Sequence, residues 1–432
     1  MFKMNKKIKG SKNLNVPNKG EQSQTCLGSA ERKEHLHKEN VPNLRFPEFS
    51  GEWGKTKFEN IVSLQRGSSP RPIIEYITKS EDGVNWVKIG DMPASGRIVT
   101  RTEEKITREG AKKSRHVKIG DLILSNSMSF GQPYIMGIEG YIHDGWFVLR
   151  NYEKSLVRDY LCNLLISPSI QQQYKRLAAG GVVQNISSEL VNSVIVSVPT
   201  KTEQKKIAEF ISYIDDRIAT QIKIIEKLES LIRGLITDVN SGRIAQCKSV
   251  YLRDLLTEQH EKNTNNYEVC SVSVSQGVIN QIDYLGRSFA AKEVLHYNVV
   301  NCGDIVYTKS PTGEFPYGIV KRSDITKPVA VSPLYGVYRP INDYVGKYLH
   351  LYFMSPINAK NYLHKLIQKG AKNTINITNQ HFLDNKILIP EKGWLDKIVK
   401  FAAAIEMKIA TENKVLQTLQ QQKDYLLSSL FI

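Results

Sequence analysis

The chain has 432 residues, of which 41% are hydrophobic, and its 59 Lys and Arg against 43 Asp and Glu give a formal net charge of +16. This length and apolar content favour a globular protein of at least two domains, and the sequence holds no apolar run of about 18 residues and no secretory h-region. We therefore expect a cytoplasmic protein without membrane contact that binds a polyanion, with nucleic acid as the first candidate.

The first 40 residues differ in composition from the rest of the chain. They hold nine Lys or Arg and four acidic residues, a net charge of +5, which leaves +11 for the remainder. This polar, Asn- and Lys-rich composition predicts a disordered basic tail.

The first domain is predicted to span residues 41–199. The five cysteines show no CxxC pair and no metal-ligand spacing, so a zinc site is not expected.

A dense basic run lies within the first domain. Between residues 97 and 118, eight Lys or Arg stand against three Glu. Such a run is often only a solvated surface, and it can also contact DNA phosphates; both interpretations stay open. The candidate phosphate-binding residues, including two lysines of the second half, are Arg97, Arg101, Lys112, Lys113, Arg115, Lys369 and Lys372.

Residues 118–134 combine a strand pattern with a polar loop. The strand begins after Gly120-Asp121 and leads into a segment rich in Ser, Asn and Gln. Asn and Gln can pair bidentately with adenine in the major groove, and Ser can contact several base edges. The alternative is that these residues only form the turn. The base-reading candidates are Ser125, Asn126, Ser127, Ser129, Gln132 and Tyr134.

A long helix is predicted over residues 200–240, after a helix around 156–177 that is kinked or split at Ser167-Pro168 and a strand at 194–198. Pro199 ends the strand, and Glu203 favours the helix start. About 38 residues at ~1.5 Å rise give a rod of ~57 Å, which suits a spacer better than an ordinary core helix. Its residues follow coiled-coil spacing: Ile207, Ile211, Ile214, Ile218, Gln221, Ile225, Leu228, Ile232 and Leu235.

The second half of the chain repeats the first. Gly120-Asp121 returns as Gly303-Asp304, and Pro199 returns as Pro390. A second domain is predicted over residues 241–390 and a second long helix over residues 391–432. Adding 191 to the numbers of the first seam gives the second, which includes Ile398, Ile405, Ile409, Glu412, Leu416, Leu419 and Leu426.

The loops after the two Gly-Asp steps differ in chemistry although their surroundings match. This difference predicts two modules that read different targets. The base-reading candidates of the second loop are Thr308, Lys309, Ser310, Thr312, Glu314 and Tyr317.

These patterns predict an α+β fold. It consists of two tandem α/β domains, each followed by a long helix, with the helices packed as an antiparallel coiled coil and the halves related by an approximate two-fold axis. In that arrangement Gln221 would face Glu412, and a buried polar pair of this kind fixes helix register.

From about residue 41 onwards, the chain resembles the specificity subunit of a type I restriction-modification system. The marks are Asn40–Phe49, the Gly-Asp steps within 120–125 and 303–308, and Pro199 followed by Glu203–Ala208. The second copy departs from this pattern, with Trp394–Ile398 where the first has Glu203–Ile207.

The resemblance implies two target-recognition domains, each reading one half of a split, asymmetric site in double-stranded DNA. It also implies that the long helices bind two methyltransferase subunits and that restriction (translocase-nuclease) subunits can join. The methyltransferase would use S-adenosylmethionine to methylate adenine, and the nuclease subunit would use ATP and magnesium.

Catalytic motifs are missing from the sequence. It contains no Asn/Asp-Pro-Pro-Tyr/Phe step, Gly-rich phosphate loop, Gly-x-Ser-x-Gly elbow or His/carboxylate metal motif. His143 and Asp144 are expected to point to opposite faces of a strand. We therefore expect a recognition subunit without catalytic residues, cofactor or metal of its own. A solitary DNA-modifying enzyme and a coiled-coil adaptor that binds only protein remain the alternatives.

Overall fold

The computed structural model describes residues 40–93, 96–126, 131–178, 186–285, 293–369 and 375–432. The predicted tail, apart from Asn40, and the candidates Ser127, Ser129 and Lys372 lie outside these ranges. By its internal contacts the chain divides into two units, residues 1–221 with 416–432, and residues 222–415. The domain boundaries predicted from the sequence stay a prediction.

The first unit contains twelve strands within its described residues. They are β1 (Gly54–Lys57), β2 (Ser63–Arg66), β3 (Ile77–Thr78), β4 (Val84–Val87), β5 (Ile98–Val99), β6 (Glu104–Ile106), β7 (Arg115–Val117), β8 (Leu122–Ser125), β9 (Pro133–Met136), β10 (Gly140–Ile142), β11 (Trp146–Arg150) and β12 (Ile195–Val198). Its short helices are α1 (Arg108–Lys112), α2 (Arg158–Ile166), α3 (Pro168–Ala178) and α4 (Ser188–Ser193). The break between α2 and α3 falls at Ser167, where the sequence predicted a kink or split.

The strands of the first unit form two five-stranded sheets and one pair. The sheet orders are β3-β6-β4-β10-β7 and β2-β11-β8-β9-β5, and β1 pairs with β12. Strands β8 and β11 are buried along most of their length because apolar groups cover both of their faces.

The second unit has its own strands and helices. The strands are β13 (Cys247–Tyr251), β14 (Leu256–Glu258), β15 (Cys270–Ser273), β16 (Gly277–Asn280), β17 (Asn298–Val300), β18 (Ile305–Tyr307), β19 (Val320–Arg322), β20 (Val329–Val331), β21 (Gly336–Pro340), β22 (Gln368–Lys369), β23 (Ile375–Asn376) and β24 (Lys386–Pro390). The short helices are α6 (Gln281–Leu285), α7 (Asp343–Met354) and α8 (Pro356–His364).

The central sheets of the two units share one strand order. In the second unit the order β14-β21-β18-β19 matches β2-β11-β8-β9 of the first, and β13-β24 matches β1-β12. The antiparallel register also agrees, with Phe147 opposite Leu124 in one and Val337 opposite Val306 in the other. The sequence repeat therefore corresponds to a repeat of the fold.

The Gly-Asp steps have one physical role in both units. Gly120 has φ +89° and Gly303 has φ +93°, a backbone conformation that favours glycine. Asp121 Oδ2 accepts a hydrogen bond from Lys118 N at 2.7 Å, and Asp304 Oδ2 accepts one from Asn301 N at 2.9 Å. Each step closes the turn that starts the central strand β8 or β18.

Two long helices, α5 (Lys201–Asn240) and α9 (Lys392–Ser429), confirm the two predicted from heptad spacing. In the first unit the beginning of α5 shares a core with the end of α9, through Ile207 and Ile211 on one side and Leu426 and Leu430 on the other. Lys423 Nζ also lies 2.5 Å from Asp215 Oδ1. The helices therefore run antiparallel in this unit.

In the second unit the end of α5 and the beginning of α9 also pack antiparallel. Ile232 and Leu235 of α5 share a core with Ile398 and Ile405 of α9. All of the seam residues predicted from the sequence are buried or half-buried, including the polar Gln221 and Glu412. The α+β class and the antiparallel packing of the long helices are confirmed.

Candidate nucleic-acid interface

Three segments converge at one end of the first unit's central sheet: residues 66–72, Asn126, which follows β8, and the turn at 143–145. Asn126 N donates to Gly145 O at 3.0 Å, and Gly67 N donates to Trp146 O at 2.8 Å. A Cβ on Gly67 would lie 1.9 Å from His143 O, so this approach requires glycine. We call these three segments the first loop cluster.

Asp144 connects the segments of the first loop cluster. Its Oδ1 accepts a hydrogen bond from Ser69 Oγ at 2.8 Å, and its Oδ2 lies 3.3 Å from Arg71 NH2. Its backbone oxygen accepts from Asn126 Nδ2 at 2.8 Å and from Arg66 Nε at 3.2 Å. The hydrogen bond from Ser69 is the largest of the effects that lower the pKa of the Asp144 carboxyl.

The expectation that His143 and Asp144 point to opposite faces of a strand is wrong, because both residues lie in the turn between β10 and β11. His143 Nδ1 lies 3.7 Å from Asp144 Oδ1 and accepts a hydrogen bond from Gly145 N at 2.8 Å. Burial lowers the pKa of His143, so its ring is neutral near pH 7. The pair shapes the turn.

Two of the predicted base-reading residues of the first unit are buried. Ser125 is fully buried and its Oγ accepts from Gln132 N at 3.0 Å, while Asn126 is 4% exposed and binds Asp144 O. Gln132 and Tyr134 are half-buried, and the Tyr134 ring lies edge-on to Trp146 with centroids 5.9 Å apart. Within the described part of this loop, Gln132 and Tyr134 are thus the more accessible candidates.

The predicted phosphate-binding residues fall into two groups. Arg101, Lys112, Lys113 and Arg115 are exposed. Arg97 instead turns inward: its NH2 donates to Asn163 Oδ1 at 2.7 Å and lies 3.7 Å from Asp215 Oδ2 on α5. This placement gives Arg97 a structural role between the domain and the long helix.

Of the exposed basic residues, one has a direct contact with the first loop cluster. Arg115 Nε donates to Arg66 O at 3.2 Å, so it adjoins the cluster directly. Lys112 pairs with Glu109 at 2.7 Å, and Lys113 Nζ lies 4.7 Å from the centre of the Tyr76 ring. Hydrogen bonding to Tyr76 raises the pKa of Lys113, so its positive charge persists at neutral pH.

The corresponding loop of the second unit, residues 308–318, has a buried base and an exposed tip. Thr308 is 3% exposed, and its Oγ1 accepts from Ile319 N at 3.0 Å. A Cβ on Gly318, where φ is +102°, would lie 1.9 Å from Thr308 O. Tyr317 is half-buried, and its carbonyl accepts from Tyr307 Oη at 2.8 Å.

The candidates at the tip of this loop, Lys309, Ser310, Thr312 and Glu314, are all exposed. They differ in charge and hydrogen-bonding groups from the residues at the equivalent loop of the first unit. Lys369 belongs to β22, and its side chain is outside the description.

Sequence reasoning missed Arg66 and Arg71 as members of the first loop cluster. Their contacts with Asp144 join segments far apart in the chain, so no local pattern reveals them. Sequence reasoning also missed the buried role of Glu203, which binds Arg45 Nε at 2.8 Å and Arg45 NH2 at 2.9 Å. Gln204, fully buried, accepts from Val157 N at 2.8 Å.

Among the described residues, no group of three or more His, Cys, Asp or Glu side chains could hold a metal ion. No helix in the same ranges is long and apolar enough to cross a membrane.

Comparisons with known proteins agree with the resemblance. The model of the family described as type I restriction modification DNA specificity domain matches residues 51–230. Over 185 residues the chain is 24% identical to the type I restriction enzyme MjaIX specificity subunit of Methanocaldococcus jannaschii, covering 42% of each protein. Over 131 residues it is 27% identical to the type I restriction enzyme HindI specificity subunit of Haemophilus influenzae, covering 29% of this chain and 28% of that protein.

These alignments span less than half the length of the curated relatives. Among solved structures, one reported for complex assembly and conformational transition of the type I restriction-modification system has the same fold. Its TM-score is 0.52 at 12% identity, and the match covers 87% of this chain and 96% of that chain.

Proposed function

We propose that this chain, which belongs to the type I restriction-modification specificity family through its specificity domain at residues 51–230, selects the DNA sequence on which such a system acts. In this proposal the chain is a non-catalytic subunit in the cytoplasm. It reads a bipartite, asymmetric duplex site and directs adenine methylation by its partners, with cleavage when nuclease subunits join.

The observation that carries the proposal is one strand order presented twice with unlike loops. In the first unit, Gln132 and Tyr134 lie at the start of β9 in the order β2-β11-β8-β9. In the second unit, the exposed Lys309, Ser310 and Thr312 follow β18 in the order β14-β21-β18-β19. Loops on a rigid sheet commonly carry recognition. Two equivalent scaffolds with different tips favour two different half-sites over a single repeated one.

The charge of the chain supports a DNA partner. The net charge of +16 favours a polyanion, and the exposed Arg101, Lys112, Lys113 and Arg115 can bind phosphates without reading sequence. Two readers on one face of a duplex would place their half-site centres about one helical turn, or ~34 to 36 Å, apart.

The long helices offer surfaces for protein partners. On α5, Tyr213 is 58% and Leu231 48% exposed, and on α9, Phe401 is 50%, Met407 68% and Tyr425 56% exposed. Large exposed apolar side chains are frequent at protein interfaces. We assign these helices to two methyltransferase subunits, which would supply S-adenosylmethionine chemistry, while ATP and magnesium would belong to the nuclease subunit.

The test is single-molecule sequencing of methylated bases in a host that encodes this chain, in the same host after deletion of its gene, and after the gene is restored. We expect one bipartite adenine-methylated motif that disappears on deletion and returns on restoration. A motif that survives deletion would contradict the proposal. Methylation by the purified chain alone would favour a solitary enzyme, and absence of salt-sensitive DNA binding would favour a protein-only adaptor.

A further inference from the structure

Arg71 is a highly exposed cation of the first loop cluster. Its side chain is 82% exposed, and its NH2 lies 3.3 Å from Asp144 Oδ2. Within the described part of the chain, that carboxylate is the one polar partner of the guanidinium. Pro70 and Pro72 flank Arg71 and restrict the backbone on both sides of it.

Asp144 is held by contacts independent of Arg71. Ser69 Oγ donates to its Oδ1 at 2.8 Å, and Asn126 Nδ2 donates to its backbone oxygen at 2.8 Å. The lowered pKa of the Asp144 carboxyl keeps it charged at neutral pH. A fixed carboxylate therefore orients a side chain that would otherwise sample many rotamers.

The rest of the Arg71 guanidinium is exposed to solvent. An exposed ion pair contributes little to stability, so stabilising the fold does not account for the arrangement. A guanidinium presents two parallel N–H groups that match O6 and N7 of guanine in the major groove. A hollow of about 970 Å³, lined in part by Pro70, Pro72 and Trp86, opens next to Arg71 and leaves room for a base edge.

We propose that Arg71, positioned by Asp144, reads a guanine in the half-site of the first recognition domain. This inference rests on the proposed function, because it assumes that the chain reads DNA. Arg71 is the specificity-determining residue, and Asp144 acts through it as a positioning residue. Arg66 belongs to this cluster, and Arg115 adjoins it through the 3.2 Å hydrogen bond from Arg115 Nε to Arg66 O, so both suit the flanking phosphates.

The experiment places Arg71→Ala, Arg71→Lys and Asp144→Asn in the host gene and compares the methylated motif with that of the wild type. Relative affinities are then measured for the full chain in complex with its methyltransferase, on duplexes that replace each guanine of the wild-type site in turn. Arg253→Ala is the matched control. Arg253 is 51% exposed and lies 3.2 Å from Asp384 Oδ1, a comparable ion pair in the second unit.

With Arg71→Ala, we expect the preference for one guanine of one half-site to fall about 10- to 100-fold, since a bidentate pair gives that much discrimination. Arg71→Lys should retain affinity and lose the preference, because an ammonium is a point charge without a planar fork. Asp144→Asn should weaken the same preference, and Arg253→Ala should leave it unchanged.

Two results would overturn the assignment of Arg71. One is an unchanged motif and unchanged base preference in Arg71→Ala, which would mean that Arg71 contacts only Asp144 and solvent and does not read a base. The other is equal weakening on every duplex, which would mean a phosphate contact. If Arg71→Ala abolishes methylation, the relative affinities for the substituted duplexes decide whether Arg71 contacts a base or a phosphate. Failure of the proposed function itself looks different, since the wild-type motif would then survive deletion of the gene.

Discussion

The ring of Phe431, beyond the end of α9, lies 5.2 Å from the ring of Tyr160 on α2, and both side chains are buried in the core of the first unit. The second unit has an equivalent contact, with Tyr348 Oη 3.4 Å from Asn240 Oδ1 at the end of α5. The core of each unit therefore includes the end of a long helix.

We predict that Phe431→Ala destabilises the first unit by about 3 kcal/mol, because a buried aromatic ring is lost and a cavity remains. Native-state hydrogen exchange should show faster exchange in α2 and β8 and unchanged exchange in α7 and β18. Phe401→Ala, which removes a ring that is 50% exposed on α9, is the control. Equal effects of the two substitutions on α2 would show that Phe431 does not complete this core.

A second prediction concerns the ion pair at the start of α5. Glu203 is 1% exposed and Arg45 16%, and Trp53 Nε1 lies 3.3 Å from the same carboxylate. Glu203→Ala should cost about 3 kcal/mol of unfolding free energy, because it leaves a mostly buried guanidinium without its partner. Chemical denaturation measures the cost. Glu229→Ala, which breaks an exposed pair with Arg233, should cost less than about 1 kcal/mol, and similar costs for both variants would contradict the assigned role.

A third prediction follows from the lowered pKa of Asp144. Because its pKa in the folded chain is below that of an unfolded Asp, about 3.9, the carboxylate stabilises the fold above that pH. This contribution is lost as pH falls through the folded pKa. Unfolding measured between about pH 5 and 2 should therefore show a shallower acid dependence in Asp144→Asn than in the wild type. Identical pH profiles would mean that Ser69 and Arg71 do not favour the charged form.

Some features of this architecture could be predicted from the sequence, and others could not. Heptad spacing predicted α5 and α9, and the repeated Gly-Asp steps predicted two equivalent units, since both signals are local or periodic. The burial of Asn126 was not predictable, because an Asn in a polar loop gives no sign that its amide will bind Asp144 O. The packing of Phe431 on Tyr160 joins residues far apart in the chain, so no spacing rule reveals it.

A fourth prediction concerns a fragment of residues 41–242, which lacks the α9 residues Leu426, Leu427 and Leu430. Their counterparts on α5, by the offset of 191, are the apolar Leu235, Ile236 and Val239. A second copy of the fragment can therefore cover the exposed core. We expect the fragment to dimerise at micromolar concentration, as measured by sedimentation, and, with the methyltransferase, to recognise an inverted repeat of the first half-site.

A shorter fragment, residues 41–224, provides the control for this dimer because it ends before the three apolar residues. It should stay monomeric and unfold more readily. If the longer fragment remains monomeric, or if its methylated motif has no two-fold symmetry, the two halves of the chain are not interchangeable in the way proposed.

The central claim is that the two units read separate half-sites, and one comparison of methylated motifs tests it most directly. Single-molecule sequencing should be applied to hosts carrying the wild-type gene, Gln132→Ala, or the double variant Lys309→Ala with Ser310→Ala. Lys112→Ala with Lys113→Ala is the phosphate control, expected to lower methylation at the unchanged motif and to reduce the salt dependence of binding.

We predict a bipartite wild-type motif in which Gln132→Ala relaxes one half only and the double variant relaxes the other half only. Each lost base contact should reduce discrimination by about 1 to 3 kcal/mol. A single continuous motif in the wild type, or loop variants that lower methylation at all sites without changing the preferred sequence, would contradict the account.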